Sequence, residues 1–297
     1  LQPHYSPPSP LWRSDVSSAC HYQARAHTDP EPRHAWLARI GILLGPILVA
    51  LGALLLLFDL GQPVRFWRGL MHPDASIMSL GVWLVSLFVI LGIVRVVQQM
   101  RVPYGDAKPN WLALVNGILS LGVMAYPGLT IAFVQAVPFW NTPMWPLLFI
   151  IAGCSAGVGV LILVAAISSW GWFRLGTAET RDAVVRRLTP AMAALLGLEA
   201  LCMLVLFLVM GNAKNAAAVS VEYLMSGDYA VTFWVGLVAV GIVAPLAWAL
   251  TSWIRGPQAA RANGVSWGGV AAICLLVGGV VLRYSVLAAG SAFPLTL

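Results

Sequence analysis

The stretch F-D-L-G-Q-P-V-R-F-W-R-G, from Phe58 to Gly69, separates two strongly apolar segments and determines how the chain is organised. Gly61 and Pro63 end a helix and turn the chain. We expect Asp59 to end the preceding helix, where the negative pole of the helix dipole disfavours a carboxylate. Arg65 is close enough in the sequence to compensate that charge. We call this stretch the hinge, and it connects two long apolar helices.

The composition on both sides of the hinge is that of a membrane protein. Of 297 residues, 60% are hydrophobic and 9% are charged, whereas soluble proteins carry about 25% charged residues. The apolar residues form runs of about 20 or more, long enough to cross a hydrocarbon core about 30 Å thick. We therefore predict an all-α, polytopic membrane protein with seven transmembrane helices in a bundle. The predicted spans are Trp36–Phe58, Leu80–Met100, Trp111–Gln135, Met144–Ser169, Pro190–Gly211, Ala230–Ile254 and Ser266–Ala289.

The first 35 residues differ from the rest of the sequence. They begin with the proline-rich L-Q-P-H-Y-S-P-P-S-P and contain neither an apolar run nor the core of a signal peptide. We predict a poorly ordered tail over residues 1–35 and a transmembrane helical domain over residues 36–297. The tail holds His4, His21, His27 and His34, but their spacing matches no recognised ligand set, so we predict no metal site.

The basic residues predict the orientation of the protein. Most of the 17 lysine and arginine residues fall on the side of the membrane that holds the N-terminus. Because positively charged loops remain in the cytoplasm, we predict that this side is cytoplasmic and that the hinge and the C-terminus lie outside. The net charge of +6 therefore belongs to loops beside the lipid and does not indicate nucleic-acid binding.

The apolar spans lack the ligands that several membrane cofactors require. None of them contains a histidine, so a transmembrane haem would have no axial ligand. None contains the lysine that a retinal protein needs. The cysteines at positions 20, 154, 202 and 274 are isolated in the sequence, so we predict no iron–sulfur cluster and no zinc in this chain.

Few ionisable residues lie within the spans, and such residues are candidates for function. Glu199 is nine residues into its predicted span, about 14 Å along the helix at ~1.5 Å per residue. A carboxylate at that depth is costly when charged, so we expect it to be protonated or paired. It is our candidate for a proton relay, and the alternative is a hydrogen-bonded structural acid. Arg283 lies toward the outer end of the last span.

The tripeptide Y-P-G at Tyr126–Gly128 is the other candidate for a site within the spans. Tyr126 lies about 22 Å along its predicted span, and the following proline and glycine break helix regularity and can open a cavity. A phenolic donor on an apolar body suits the pocket of an apolar ligand; the alternative is an interfacial aromatic. Asn116 is a deeper, weaker companion, and Asp59 and Arg65 approach the same membrane level from the hinge.

Five stretches of the sequence together resemble one family. They are D-L-G-Q-P-V-R-F-W in the hinge, S-I-M-S-L-G-V-W, Y-P-G-L-T-I, P-F-W-N-T-P-M-W-P-L-L-F and G-G-V-V-L-R-Y. Their order and spacing resemble the polysulfide reductase membrane-subunit (NrfD-like) family. The resemblance implies a haem-free, quinone-reactive subunit of a bacterial respiratory oxidoreductase in the inner membrane. It also implies a four-cluster ferredoxin-type iron–sulfur partner and a molybdopterin-type catalytic subunit.

The resemblance also suggests where a menaquinone or ubiquinone would bind. Tyr126 matches the tyrosine of the family's Y-x-G motif, close to its quinone pocket. We assign Asn116, Asp59 and Arg65 to the pocket and hinge, with Arg283 as a further candidate. Members of this family usually have eight helices, the first of which contributes to the pocket. Residues 1–35 occupy that place without an apolar span, so we expect that either the first helix is lost or the start of this sequence is altered.

Our leading hypothesis is electron transfer between a membrane quinone and the iron–sulfur partner, which leaves the catalytic centre on another subunit. A secondary transporter is the alternative from another class, and it would favour broken helices in paired positions of two inverted halves. A purely structural anchor is the third hypothesis. Co-purification of an iron–sulfur subunit would exclude the transporter, and quinol oxidation by that complex would exclude the anchor.

Overall fold

The computed structural model describes residues 35–59, 77–101, 111–169, 178–213, 216–254 and 265–291. Within these ranges every regular element is a helix, and seven helical spans are long and apolar enough to cross a membrane. The prediction of an all-α, polytopic membrane protein is therefore confirmed. Residues 1–34 of the predicted tail and residues 60–76, which include most of the hinge, lie outside the described residues.

The helices are named here in sequence order. They are α1 Ala35–Asp59, α2 Ile77–Arg101, α3 Trp111–Ala132, α4 Met144–Ser169, α5 Ala178–Gly211, the short α6 Ala216–Ser226, α7 Thr232–Ile254 and α8 Val265–Ser291. Helix α7 is π-helical over Thr232–Val243 and α-helical over Ala244–Ile254. Each predicted span corresponds to one of the long helices, and α1 ends at Asp59 as predicted.

Helix α5 begins 12 residues before the predicted span, at Ala178 rather than at Pro190. A proline inside a helix leaves the carbonyl four residues earlier without its N–H partner. In the same turn, the Thr189 hydroxyl donates to the carbonyl of Val185 at 2.7 Å. The side chains of Val184 and Val185 are buried in the core, so tertiary packing keeps this turn helical. The segment before the predicted span is therefore the first part of α5.

Side-chain contacts show that neighbouring long helices run in opposite directions. Arg181 near the start of α5 donates to the carbonyl of Ser168 at the end of α4 at 2.6 Å. Nearer the other end of the same pair, Ser155 of α4 contacts Glu199 of α5. The end of α1 and the start of α2 define what we call the hinge side of the bundle; α3, α5 and α8 also end there.

The core consists of two clusters stacked along α4. The hinge-side cluster contains Phe139, Trp145 and Phe149, and the other contains Ile162 and Met192. Helices α4 and α8 contribute to both clusters. They are the most buried spans, because 39% of the apolar stretch of each is buried inside the bundle. In α3, by contrast, only 6% of the apolar stretch is buried. Helices α1, α2 and α3 pack in sequence onto α4 and leave most of their apolar surface for lipid.

Helices α7 and α8 approach each other more closely than side chains would allow. A Cβ atom on Gly241 would lie 2.6 Å from Cα of Gly278, so the two backbones are in direct contact. Small residues permit such contacts between membrane helices. The contact falls within the π-helical part of α7, a conformation that is rare and often associated with functional sites.

Candidate functional site

Tyr126 lies on the face of α3 that packs against α2. Its ring covers Gly81, and a Cβ atom there would overlap the Cζ and Cε2 atoms of the phenol. Gly81 is buried, whereas Tyr126 is half-buried. One turn later on α2, Leu84 packs against Gly122 of α3. The phenol therefore lies on bare helix backbone near the hinge side, between two apolar helices.

The Pro-Gly pair after Tyr126 does not interrupt α3. Pro127 lies inside the helix, and the Thr130 hydroxyl donates to the carbonyl of Tyr126 at 2.9 Å in the next turn. Gly128 lets α3 approach α4, because a Cβ atom there would lie 2.6 Å from the backbone nitrogen of Pro146. The Y-P-G sequence thus fixes α3 between α2 on one face and α4 on the other.

Glu199 lies in the interior of the bundle and is only 5% exposed. Its Oε2 atom is hydrogen-bonded to the Ser155 hydroxyl at 3.1 Å. Ser155 is also buried, and its hydroxyl lies 2.9 Å from the carbonyl of Ala152. A buried carboxyl group is therefore held between α4 and α5 by a side-chain hydrogen bond.

Arg283 on α8 approaches the same region from the hinge side. Its guanidinium carbon lies 5.5 Å from the centre of the Phe149 ring, within the range of a cation–π interaction. It donates to the carbonyl of Gly279 at 3.0 Å and interacts electrostatically with Glu199. We call Glu199, Ser155 and Arg283 the Glu199 cluster, which joins α4, α5 and α8.

Tyr126 and the Glu199 cluster occupy different positions around α4. The contacts of α3 place Tyr126 near the level of Phe149, the residue that Arg283 also contacts. Ser155 is six residues further along α4, about 9 Å deeper at ~1.5 Å per residue. Tyr126 faces α2, whereas Ser155 contacts α5. The structure therefore places the half-buried Tyr126 phenol near the hinge side and the buried Glu199 carboxyl group deeper in the bundle.

Two of the predicted site residues are not brought together. Asn116 and Tyr126 are ten residues apart on α3, about 15 Å along the helix axis, so both cannot bond to one quinone ring. The Oδ1 atom of Asn116 is buried and has no hydrogen-bond partner among the described residues. Asp59 ends α1, but its side chain is not described, and Arg65 lies outside the described residues. The proposed pairing of these hinge charges stays a prediction.

Sequence reasoning did not identify the partners of the two candidate residues. Gly81 lies in the stretch S-I-M-S-L-G-V-W, and Ser155 lies in A-G-C-S-A-G, where Gly153 and Gly157 have the spacing of small residues that is typical of close helix packing. Gly153 does accept the Met124 side chain of α3, but no heavy atom lies within 4 Å of a Cβ placed on Gly157. A serine within an apolar span was the available signal for Ser155.

A group of three tyrosines lies at the hinge side: Tyr223 and Tyr229 precede the span of α7, and Tyr284 lies in α8. The Tyr223 ring packs edge-to-face on Tyr229, with ring centres 5.6 Å apart, and Tyr229 packs on Tyr284 at 6.0 Å. Tyr223 donates to the Asp228 carboxylate at 3.1 Å, and this hydrogen bond raises the pKa of the Tyr223 phenol. The pKa of Tyr229 is raised mainly by its hydrogen bond with Tyr284.

The described residues do not form a metal centre. In the six described ranges, no group of three or more histidine, cysteine, aspartate or glutamate side chains is arranged to hold a metal ion. Cys154, Cys202 and Cys274 are free thiols.

Comparison with known proteins places this sequence in a family. Residues 15–295 match the family model described as "Polysulphide reductase, NrfD". One component of the polysulfide reductase of Wolinella succinogenes is 29% identical over 278 residues, which cover 86% of this chain and 83% of that protein. Protein NrfD of Escherichia coli (strain K12) is 28% identical, with 86% of this chain and 82% of that protein covered.

A third relative is more distant. A subunit of the selenate reductase of Mesobacillus selenatarsenatis is 21% identical over 234 residues, which cover 66% of this chain and 54% of that protein. The family match begins at residue 15, inside the predicted tail, and extends over Tyr126, Glu199 and Arg283. Because that match spans nearly the whole chain, this protein belongs to the polysulphide reductase NrfD family.

Proposed function

We propose that this protein is the quinone-reactive membrane subunit of a respiratory reductase complex. In this role it exchanges electrons between a membrane quinone and a peripheral iron–sulfur subunit. The observation that supports it most directly is the Tyr126 phenol, a polar donor held between α2 and α3 near the hinge side. Two of the relatives are named as parts of a polysulfide reductase and of a selenate reductase, which agrees with a reductase complex.

The residues around Tyr126 fit the headgroup of a quinone. Binding sites of this kind are mostly apolar, with a few polar groups that fix the orientation of the ligand. Tyr126 supplies one hydroxyl donor for a neutral carbonyl oxygen. The adjoining positions on the same face of α3 are a bare glycine on α2 and, one turn away, the apolar Leu84. Tyr126 is half-buried, so part of its side chain remains exposed at the surface of the bundle.

The protein's own residues have two tasks in this proposal. The quinone, when bound, supplies two-electron redox chemistry coupled to proton exchange. The Tyr126 hydroxyl orients the quinone by donating to one carbonyl oxygen. Glu199 holds a proton on a carboxyl group inside the bundle, and Ser155 fixes one oxygen of that group. Arg283 places a positive charge between Glu199 and the hinge side.

The remaining parts of the complex follow from the same proposal. A four-cluster ferredoxin-type subunit would carry electrons between the hinge side and a molybdopterin-type catalytic subunit. The distribution of arginine and lysine supports an inner-membrane protein whose N-terminal side is cytoplasmic. The hinge side, with Tyr126 and Arg283, would then face the outside and the peripheral subunits.

The experiment that tests this proposal is purification of the tagged protein from its native membrane. We expect an iron–sulfur subunit to co-purify, and we expect a menaquinol or ubiquinol analogue to reduce its clusters in the complex. The readouts are the iron content and the electron paramagnetic resonance signal after addition of quinol. A co-purifying iron–sulfur subunit that no quinol reduces would leave the structural anchor as the function. Purification without any redox partner would contradict the proposal.

A further inference from the structure

We infer that Gly81 is a positioning residue for Tyr126. Because Gly81 has no side chain, the phenol ring can lie directly on α2, and this contact fixes the position of the hydroxyl group and thereby the affinity for quinone. This inference rests on the proposed function. The relevant contact joins α2 to α3, and it lies on the opposite face of α3 from its contact with α4. Gly81 itself contributes no polar side chain to the ligand.

The contact involves the end of the tyrosine ring that carries the hydroxyl. A Cβ atom on Gly81 would overlap Cζ and Cε2 of Tyr126 and would lie 2.5 Å from its hydroxyl oxygen. Favourable contacts between non-bonded carbon atoms are about 3.5–4.0 Å long. Even an alanine at position 81 would therefore push the hydroxyl end of the ring away by about 1–1.5 Å.

The opposite face of α3 cannot move to absorb this displacement. A Cβ atom on Gly128 would lie 2.6 Å from both N and Cα of Pro146, so the backbones of α3 and α4 are in direct contact. Met124 fills the space above Gly153 on the same face. The phenol ring or α2 must move instead. A displacement of about 1 Å takes an O–H···O hydrogen bond out of its usual 2.5–3.0 Å range.

Two other glycines provide matched controls. Gly92 lies on the same helix as Gly81, and a Cβ atom there would overlap the ring of Pro46 on α1. Gly92→Ala therefore introduces a similar steric conflict on α2 away from Tyr126. Gly117 lies on the same helix as Tyr126, and a Cβ atom there would have no heavy atom within 4 Å. Gly117→Ala thus adds a methyl group to α3 without a conflict.

The test combines kinetics with a spectroscopic measurement on the assembled complex. We would incorporate 3-fluorotyrosine at position 126 and record its ¹⁹F resonance in the parent and in the three glycine variants. Gly81→Ala should shift this resonance and raise the KM for quinol about fivefold, the effect of one weakened hydrogen bond. Activity with an artificial electron donor should not change. Gly92→Ala should lower the yield of complex but leave the resonance and KM unchanged, and Gly117→Ala should match the parent.

The outcomes separate this inference from the proposed function. If Tyr126→Phe impairs quinol kinetics but Gly81→Ala alters neither the resonance nor KM, the inference is wrong and the proposed function stands. If neither variant alters quinol kinetics, the proposed quinone site at Tyr126 is wrong, and the inference fails with it. If Gly81→Ala does not assemble, the smaller side chain of Tyr126→Leu in the same protein should restore assembly. Failure of that double variant to assemble would overturn the inference.

Discussion

The Ser155 hydroxyl is hydrogen-bonded to Oε2 of Glu199 at 3.1 Å, and it also lies 2.9 Å from the carbonyl of Ala152. A serine hydroxyl has one hydrogen and can donate it to only one of these two oxygens. Both contacts are satisfied when Ser155 donates to Ala152 and a protonated Glu199 donates to the Ser155 oxygen. The geometry thus accommodates a neutral carboxylic acid, which is also the less costly form in a membrane interior.

Glu199→Gln should therefore preserve assembly but slow any proton movement coupled to turnover. The glutamine amide can keep the hydrogen bond to Ser155, but it cannot release a proton. We expect the infrared C=O band of a protonated carboxylic acid to disappear in this variant. Proton uptake would be followed in liposomes that contain the complex and a quinol. Ser155→Ala is the control, because it removes the hydrogen bond and keeps the acid. Unchanged proton-coupled turnover in Glu199→Gln would leave Glu199 a structural acid.

Tyr126→Phe should weaken quinone binding in an assembled complex. The variant removes the phenol hydroxyl and leaves the ring over Gly81, so the packing of α2 on α3 is preserved. Losing one hydrogen bond to a neutral carbonyl costs about 1 kcal/mol, or roughly a fivefold increase in KM. If Tyr126 also transfers a proton, kcat should fall as well. Steady-state kinetics with a quinol and with an artificial donor measure both effects. Quinol kinetics equal to those of the parent would make Tyr126 an interfacial aromatic.

Asp59→Asn should lower the yield of assembled complex more than the turnover of each complex. Asp59 ends α1, and a carboxylate at a helix C-terminus needs a compensating positive charge nearby. Arg65 is the predicted partner, so Arg65→Gln should produce a similar loss. The yield would be measured by quantitative purification and the turnover per complex by quinol oxidation. Normal yield together with abolished turnover would assign the hinge a direct catalytic role.

Trp140→Phe should reduce the stability of the hinge-side end of the bundle. The indole nitrogen of Trp140 donates to the carbonyl of Val286 on α8 at 2.9 Å, across 146 positions of the sequence. Loss of this bond should cost about 1 kcal/mol. Thermal denaturation in detergent, followed by loss of soluble protein, would measure the effect. Trp111→Phe is the control, because Trp111 is 70% exposed. An equal loss of stability in both variants would show that this hydrogen bond contributes little.

Asp228→Asn should lower the pKa of the Tyr223 phenol toward its ordinary value. The hydrogen bond to the Asp228 carboxylate favours the protonated phenol, and the negative charge disfavours the phenolate. Ultraviolet titration of the parent and the variant, compared with Tyr223→Phe, would isolate the titration of this one tyrosine. A pKa unchanged by Asp228→Asn would show that the hydrogen bond is absent in solution.

The number and approximate position of the spans could be predicted because each one is a continuous apolar run of sufficient length. The end of α1 at Asp59 followed from the glycine and proline just after it. The start of α5 could not be predicted, because Pro190 usually ends or begins a helix. Here a hydroxyl from Thr189 and the burial of Val185 hold that turn together. The burial of Val185 is a tertiary contact that the local sequence does not contain.

The candidate site was only half predictable. Tyr126 and Glu199 stood out because a polar group in an apolar span is unusual. Gly81 and Ser155, which contact these two residues, did not stand out. A span that is apolar on all sides does not indicate which of its faces packs against which neighbouring helix. The register between two helices depends on their whole shared surface. The position of Asn116, about 15 Å from Tyr126 along α3, shows that sharing a helix does not place two residues in one pocket.

The sequential packing of α1, α2 and α3 onto α4 has a consequence for mechanical unfolding. Because these three helices reach the core chiefly through α3, they can leave the bundle as one unit without disturbing the contacts of α4 with α8. Pulling the protein from its N-terminus should therefore extract the first three spans at low force, before the others. A higher force should then remove α4 and the helices packed on it. Local units of unequal stability of this kind are common in folded proteins.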